Sequence, residues 1–112
     1  MKIEVHHHDQ IGFTHVATVD VPDHLALHAA LEYAWRWTNN ADGSWSIKER
    51  AFEDGRENGD FNARVEVIAP LRVDRQGKTW GHRSSMMGDV FIVDGKRWVV
   101  ATFGFEAEDL RA

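Results

Sequence analysis

The sequence contains no cysteine, only two prolines and one tyrosine among its 112 residues. The absence of cysteine excludes disulfides, thiolate zinc sites and cysteine nucleophiles within this chain, and it predicts a location in a reducing cytoplasm. No apolar run approaches the roughly 20 residues that a membrane-spanning helix needs, so we expect no membrane insertion. The residues after Lys2 are polar and include three consecutive histidines, which is not the pattern of a secretory signal peptide.

The residues that are present predict one packed domain. A length of 112 residues is typical of a single domain, and we therefore assign residues 1–112 to one unit. Five tryptophans and six phenylalanines supply material for a core and argue against disorder. The net charge of −5 is uneven, since residues 1–60 carry −6 and residues 61–112 carry +1. This balance disfavours nucleic-acid binding over the whole surface and leaves room for a local basic patch.

Alternation of apolar and polar residues predicts strands at both ends of the chain. Residues 1–7 and 14–21 alternate on either side of a turn, which predicts a hairpin, and residues 63–68 form a third alternating run. Within residues 90–102, two β-rich runs are separated by Asp94-Gly95, a pair that favours the positive φ angles of a two-residue turn. Because these runs are nearly continuously apolar, we predict that this second hairpin is central in the sheet.

One helix is predicted between the first hairpin and the third strand. Asp20 is suited to cap its first turn, where Pro22 also fits. Small and apolar residues then recur at the spacing of one helix face. They are Leu27, Ala30, Leu31, Ala34, Trp35 and Thr38. Residues 39–43 contain the Asn and Gly that end helices, and residues 44–61 are polar enough to predict a long surface loop.

Together these elements predict an α+β fold. We expect a curved antiparallel sheet of about five strands, with the one main helix packed across it and the second hairpin supplying most of the core. An open sheet and a partly open barrel both fit this pattern of elements.

Two segments resemble motifs of a known protein family. Residues 38–45 read Thr-Asn-Asn-Ala-Asp-Gly-Ser-Trp, similar to a TNxxDxSW pattern. Residues 83–90 read Arg-Ser-Ser-Met-Met-Gly-Asp-Val, similar to RSTSVGDV with Met-Met in place of Ser-Val, and residues 104–106 match a following GFE. This combination resembles small proteins encoded by bacteriophages of actinobacteria and by their hosts, and the second motif is loosely similar to YodL-type domains of mobile elements. The resemblance implies a phage or mobile-element protein in the cytoplasm of a bacterial host, and it implies no particular activity.

The second of these segments is the most distinctive candidate site. Its residues of interest are Arg83, Ser84, Ser85, Gly88 and Asp89. Arg83 and the two hydroxyl groups could grip a phosphate or carboxylate, because a guanidinium offers a planar fork of donors. They could instead bond to local backbone while Gly88-Asp89 turns the chain into the second hairpin. We favour this second interpretation, that of a structural motif.

Two surfaces are candidates for binding a macromolecule. Aromatic residues at the end of the helix and an acidic stretch in the long loop predict a protein-binding surface. Its members are Trp37, Trp45, Glu53, Asp54, Glu57 and Asp60, of which the two tryptophans are expected to be exposed. A basic segment with one aromatic residue predicts nucleic-acid binding instead. Its members are Arg72, Arg75, Lys78, Trp80 and Arg83. Both sets have a structural alternative, as outer core residues and as solvated charges.

Two histidine pairs have the spacing of metal ligands. His6 and His8 share one strand face, and His24 and His28 lie one helical turn apart. Neither pair has an assured third ligand, so we assign no metal ion and no cofactor. The sequence also has no nucleophile elbow, no phosphate-binding glycine loop and no His-Glu-x-x-His motif.

The function expected from the sequence is therefore that of a non-enzymatic accessory protein, of phage or mobile-element type, that binds a host or phage protein. The alternatives are a nucleic-acid-binding module that uses the basic segment, and a small enzyme or metal-binding protein centred on histidines. The sequence leaves the identity of the partner and the oligomeric state open.

Overall fold

The computed structural model describes residues 1–108, which form eight strands and one helix. In chain order the elements are β1 (Lys2–Asp9), β2 (Gly12–Asp20), α1 (Leu27–Arg36), β3 (Val65–Val67), β4 (Arg72–Val73), β5 (Thr79–Trp80), β6 (Val90–Val93), β7 (Lys96–Val100) and β8 (Phe105–Ala107). The pairs β1–β2 and β6–β7 are the two hairpins that the sequence predicts.

Six of the strands form one antiparallel sheet in the order β3-β2-β1-β6-β7-β8. The two predicted hairpins meet edge to edge through β1 and β6, which lie in the middle of the sheet. Within residues 1–108, β3 and β8 end the sheet on opposite sides, so the sheet is open. β4 and β5 form a separate two-stranded sheet. The α+β class and the antiparallel sheet are confirmed, with six strands where about five were expected.

The β6–β7 turn has the geometry that its sequence predicts. Asp94 has a φ of 49° and Gly95 a φ of 78°, both positive as a two-residue hairpin turn of this twist requires. At the start of β6, Val90 and Phe91 point to opposite faces of the sheet, and their side chains are 1% and 0% exposed. The second hairpin is therefore covered on both faces at this point, as the nearly continuous apolar run predicts.

An irregularity in the first hairpin changes which side chains share a face. Val5 pairs with Ala17, but the next residue, His6, pairs with His15, so Val16 has no partner. This extra residue is a β-bulge, and it reverses the alternation in the part of β2 that precedes it. His15 therefore lies on the face of His6. The predicted alternation, which put His15 on the side of Ala17, is wrong at this position.

The helix begins later than the sequence predicts. Its N-cap is Ala26, which makes no side-chain capping bond, so Asp20 is not the cap. Asp20 is the last residue of β2, and its backbone N–H donates to the carbonyl oxygen of Arg64 at 2.8 Å. The sheet therefore continues through Asp20, because this bond keeps the backbone extended beside the residue that precedes β3.

The core lies between α1 and one face of the sheet. The helix contributes Ala30, Leu31 and Ala34, all completely buried, which confirms the predicted apolar stripe. The sheet contributes alternate residues of its strands, and the completely buried ones include Ile3, Val5, Ala17, Val19 and Phe91. Within residues 1–108, no helix has the length and apolar character needed to cross a membrane.

Candidate functional site

The two motif segments lie against each other, although they are far apart in the sequence. The backbone N–H of Ser85 donates to the carbonyl oxygen of Thr38 at 2.9 Å, and the backbone N–H of Asn40 donates to Oγ of Ser84 at 2.8 Å. These bonds join the end of α1 to the segment that leads into β6. Both motifs therefore belong to one hydrogen-bonded unit, which we call the motif network.

Asp89 is the centre of the motif network and is completely buried. Arg83 donates from Nη1 to Oδ2 at 2.8 Å and from Nη2 to Oδ1 at 2.9 Å. The backbone N–H of Met86 donates to Oδ2 at 2.7 Å. His8 donates to Oδ1 from its backbone N–H at 2.9 Å and from Nδ1 at 2.8 Å, because an ionised carboxylate can only accept. These bonds replace the water that the buried charge has lost.

The surroundings of Arg83 and Asp89 keep both side chains of this ion pair charged. Burial by itself would raise the pKa of Asp89, since it disfavours the charged form. The hydrogen bonds from Arg83 and from the backbone N–H groups of His8 and Met86 outweigh burial and lower the pKa to about 2. The bond to Asp89 also raises the pKa of Arg83. Asp89 is therefore ionised at neutral pH and cannot supply a proton.

A chain of hydroxyl groups connects His7 to the end of α1. Thr38 Oγ1 donates to the carbonyl oxygen of Ala34 at 2.7 Å, so its only proton is used. Ser85 Oγ lies 2.8 Å from Thr38 Oγ1 and must therefore be the donor of that bond. Its acceptor side then receives the Nε2–H of His7 at 3.0 Å. The order of donors assigns the proton of the His7 ring to Nε2.

His7 is held in its neutral form. Burial lowers the pKa of the ring, and the positive charge of Arg83 lowers it further, whereas the negative charge of Asp89 opposes both. The net result is a pKa of about 4, against an ordinary value of 6.5. A buried neutral ring that donates through Nε2 satisfies the chain of hydroxyl groups without placing a cation in the core.

This arrangement is not that of a serine nucleophile and its base. A base must accept the hydroxyl proton, but His7 Nε2 donates to Ser85 and has no lone pair on that side. The carboxylate of Asp89 is bound by Arg83, and its oxygen Oδ2 lies 3.7 Å from the same Nε2. A triad needs the carboxylate at the other ring nitrogen. Ser85 is also only 3% exposed, so the network is structural.

The motif network uses the groups that the alternative interpretation, an anion grip, would need. Besides Asp89, Arg83 Nη2 contacts the carbonyl oxygen of His8 at 2.9 Å, and Ser84 and Ser85 use their hydroxyl groups inside the network. Gly88 has a φ of 91°, and an added Cβ would lie 3.1 Å from the ring of His8. The structural interpretation of this segment agrees with these contacts. Arg83 is not a free cation beside the rest of the basic segment.

Trp45 is buried, and the prediction that it is exposed is wrong. The side chain is 0% exposed and lies edge-on to His7, with ring centroids 6.0 Å apart. Its other neighbour is the ring of His82, stacked at 5.7 Å. The indole N–H donates to the carbonyl oxygen of Arg83 at 2.9 Å. Because this acceptor satisfies its polar group, the whole indole can be part of the core and offers no surface to a partner.

Asp60 is also buried, which removes it from the predicted binding surface. Its Oδ1 accepts from Nη1 of Arg36 at 3.0 Å, and its Oδ2 accepts from the backbone N–H of Asp42 at 2.7 Å. The side chain is 0% exposed. Asp60 therefore fixes the end of α1 to the end of the long loop, and its charge belongs to the fold.

The long loop of residues 44–61 is organised by Asn58, which sequence reasoning did not identify. Its Nδ2 lies 2.8 Å, 3.1 Å and 3.0 Å from the carbonyl oxygens of Ser44, Ile47 and Glu49. Its Oδ1 accepts from the backbone N–H of Ser44 at 2.9 Å. An Asn in a polar stretch carries no signal of burial, yet this one is 5% exposed and replaces the backbone bonds that a helix or strand would supply.

The remaining members of the predicted protein-binding set are accessible to different degrees. Glu53, Asp54 and Glu57 are exposed on the long loop. Trp37 is half-buried, with the guanidinium of Arg36 4.2 Å from the centre of its ring. The acidic residues are therefore available to a partner, whereas Trp37 is partly covered by its own neighbour.

The basic segment forms a small exposed hairpin, β4–β5, around one tryptophan. Trp80 is 43% exposed, and its Nε1–H donates to Oδ2 of Asp74 at 3.0 Å. The charged groups of Arg72 and Lys78 lie 5.3 Å and 4.1 Å from the centre of its ring. Arg75 is exposed in the turn. The structure thus places four of the five predicted basic-segment residues on this hairpin, whereas Arg83 is bound to Asp89 in the motif network.

A broad groove of about 1160 Å³ runs between the long loop and this hairpin, and we call it the loop–hairpin groove. Apolar and charged side chains both line it, including Phe52, Glu53, Asp54, Leu71 and Lys78. Lys78 belongs to the groove and also covers Trp80, so the exposed tryptophan lies at its rim. The groove therefore joins the acidic and the basic candidate sets in one surface.

One group of three side chains within residues 1–108 has the donors of a metal site: Glu4, His6 and His15. Of these three residues, only His6 was predicted from the sequence as part of a metal-ligand pair, because His15 reaches this face through the bulge.

Among known proteins, no family model, no curated protein and no solved structure matches this chain. The resemblance to phage-encoded proteins therefore rests on the two sequence motifs.

Proposed function

We propose that this chain is a non-enzymatic accessory protein of phage or mobile-element type that binds a host or phage protein through the loop–hairpin groove and its rim. The observation that carries the proposal is the exposure of large apolar side chains on the β4–β5 hairpin, which forms one side of the groove. Trp80 is 43% exposed and Val73 is 59% exposed, although both belong to the β4–β5 hairpin. Exposed aromatic and aliphatic residues concentrated on one small element are typical of a contact surface.

The motif network supports binding over catalysis. Ser85 and His7, a serine and a histidine joined by a hydrogen bond, are buried and have their protons committed to structural bonds. The motifs that carry the resemblance therefore maintain the fold. Function is then expected on the surfaces that the network supports, and the long loop is one of them.

The residue types at the rim fit a protein partner. Tryptophan and arginine are the residues that most often dominate the energy of protein interfaces. Trp80 is also preorganised, because its bond to Asp74 holds the indole in place, and this lowers the entropy lost on binding. The same bond lowers the pKa of Asp74, so the carboxylate that holds the indole is charged at neutral pH.

The charges of the groove favour protein over nucleic acid. The long-loop side carries acidic Glu49, Glu53 and Asp54 together with basic Lys48 and Arg56, and Lys78 lines the other side. A phosphate backbone in the groove would meet carboxylates as well as cations, whereas a protein can present charges of both signs. The mixed lining therefore selects a partner with complementary patches.

One observation favours nucleic acid as the second candidate. Arg72 and Lys78 both lie over the ring of Trp80, and Arg75 is exposed nearby. Cations beside an exposed aromatic ring are the elements that single-stranded nucleic acid uses for stacking and phosphate contact. Binding of this kind would fall steeply with salt concentration.

The test is capture from an actinobacterial lysate by immobilised protein, with and without nuclease. We compare wild type with Trp80→Ala and Glu53→Lys, and we use Ile11→Ala and Glu106→Lys as matched exposed controls outside the groove. Ile11 is 96% exposed in the β1–β2 turn. We expect wild type and both controls to enrich the same protein with and without nuclease. The variants Trp80→Ala and Glu53→Lys should not enrich it.

Two results would overturn the proposal. Equal capture by all five proteins would show that the groove is not the contact surface. Capture that nuclease abolishes, and that weakens steeply with added salt, would replace protein with nucleic acid as the partner. Circular dichroism of each variant confirms that a loss of capture is not a loss of fold.

A further inference from the structure

Three potential metal ligands meet on the sheet face that α1 does not cover. Glu4 Oε1 lies 3.1 Å from Nε2 of His6 and 3.7 Å from Nδ1 of His15. The ligand atoms of all three side chains lie within 4.8 Å of one another. Two ligands of a tetrahedral zinc ion are about 3.4 Å apart, given metal–ligand distances near 2.1 Å. Two of the three separations are therefore close to this value before any ion binds.

The bulge in β2 creates this group. In a regular register without the bulge, His6 would lie opposite Val16, and His15 would point to the core face. With it, His15 pairs with His6 across the two strands, and their rings stack with centroids 4.8 Å apart at an angle of 7°. Bulges often redirect a side chain at a functional site, and this one gathers two imidazoles on one face.

A neighbouring hydroxyl orients one of the ligands. His15 Nε2 lies 2.9 Å from Oγ1 of Thr18. With Nε2–H donating to this hydroxyl, Nδ1 keeps its lone pair on the side that faces Glu4. Metal-binding histidines commonly donate their second nitrogen in this way, which fixes the tautomer and the ring orientation.

We propose that Glu4, His6 and His15 form a binding site for a divalent transition metal of the Zn²⁺ class. Two imidazoles and one carboxylate are donors that suit Zn²⁺ and related ions, whereas Mg²⁺ prefers oxygen ligands alone. The side chains of Glu4, His6 and His15 are 47%, 18% and 31% exposed, so an ion can reach them from solvent. Three protein ligands leave a fourth coordination position open to water.

The site is tested with protein that has been treated with chelator and titrated with ZnCl₂ by isothermal calorimetry. The variants are Glu4→Gln, His6→Gln and His15→Gln. His24→Gln is the matched control, because His24 is exposed and is not a member of the group. We expect wild type and the control to bind one equivalent of Zn²⁺ that each of the three ligand variants loses. MgCl₂ should not compete for it.

Two further measurements separate ligation from a general effect on the sheet. Thr18→Val should weaken Zn²⁺ binding by about tenfold without removing the equivalent, because it acts through the orientation of His15. Nitrogen NMR of the imidazole rings should show that Zn²⁺ perturbs Nδ1 of His15 and leaves Nε2 protonated. Absence of any equivalent in wild type, or an equivalent that survives in both histidine ligand variants, would overturn the proposal.

Discussion

The hydroxyl groups of Thr38 and Ser85 lie 2.8 Å apart, although 47 residues separate them in the sequence. This contact joins the end of the helix to the segment that enters the central hairpin. It is also the step that fixes the direction of the proton chain from His7, since Thr38 has already donated its own proton to the carbonyl oxygen of Ala34.

The first prediction concerns this contact. Thr38→Val and Ser85→Ala should each lower the free energy of unfolding by about 1–3 kcal/mol, because each leaves a buried partner unsatisfied. In the double variant the losses should fall short of additivity by about 1 kcal/mol, which is the coupling between the two hydroxyl groups. Urea denaturation of the four proteins measures this cycle. Strict additivity would show that the two groups do not share a bond.

The second prediction is a dependence of stability on pH through His7. The folded pKa of about 4 lies below the ordinary value of 6.5, so the unfolded chain binds more protons between these values. Its contribution to stability is therefore complete above about pH 6.5 and is lost as the pH falls toward 4. Between about pH 7.5 and pH 5 this amounts to about 2 kcal/mol.

The measurement is urea denaturation of wild type, His7→Gln and His24→Gln at both pH values. The loss of stability on acidification should be about 2 kcal/mol smaller in His7→Gln than in the other two proteins. An identical loss in all three would mean that His7 is not held neutral.

Asp89 has an effect in the same direction at lower pH. Its folded pKa of about 2 lies below the ordinary value of 3.8, so its contribution to stability is lost as the pH falls through that interval.

The third prediction separates two tryptophans. Trp45→Ala should destabilise the fold by about 3–5 kcal/mol, because it leaves a large cavity in the core and removes the partner of the Arg83 carbonyl oxygen. Trp80→Ala should cost much less, since that side chain is 43% exposed. Thermal unfolding of both variants gives the comparison. Similar midpoints would contradict the burial of Trp45.

The hairpins and the helix face could be predicted because their signals are local. Asp94-Gly95 specifies a turn through backbone angles that few other residues adopt, and the helix stripe is visible as a repeat. The burial of Trp45 could not be predicted in this way. It depends on an acceptor, the carbonyl oxygen of Arg83, that lies 38 residues away.

The candidate sites were harder to predict for the same physical reason. The bulge at Val16 contains no glycine, so the sequence carries no signal for it. The regular alternation of β2 therefore did not predict that His15 lies beside His6. Asn58 and Asp60 looked like solvated loop residues, but they are satisfied by backbone groups that only the folded loop brings near. The basic segment was identified because its members are close together in sequence, whereas its folding into the β4–β5 hairpin was not predicted.

The sheet ends on each side in a strand of only three residues, β3 and β8. A peptide that extended the sheet at either border could form only a few ladder bonds, and short borders are also a common protection against self-association. The addition of a partner's β-strand to the sheet is therefore a poor mode of recognition for this molecule. A partner would have to be chosen by side-chain shape and charge, which makes its identity sensitive to single substitutions on the surface.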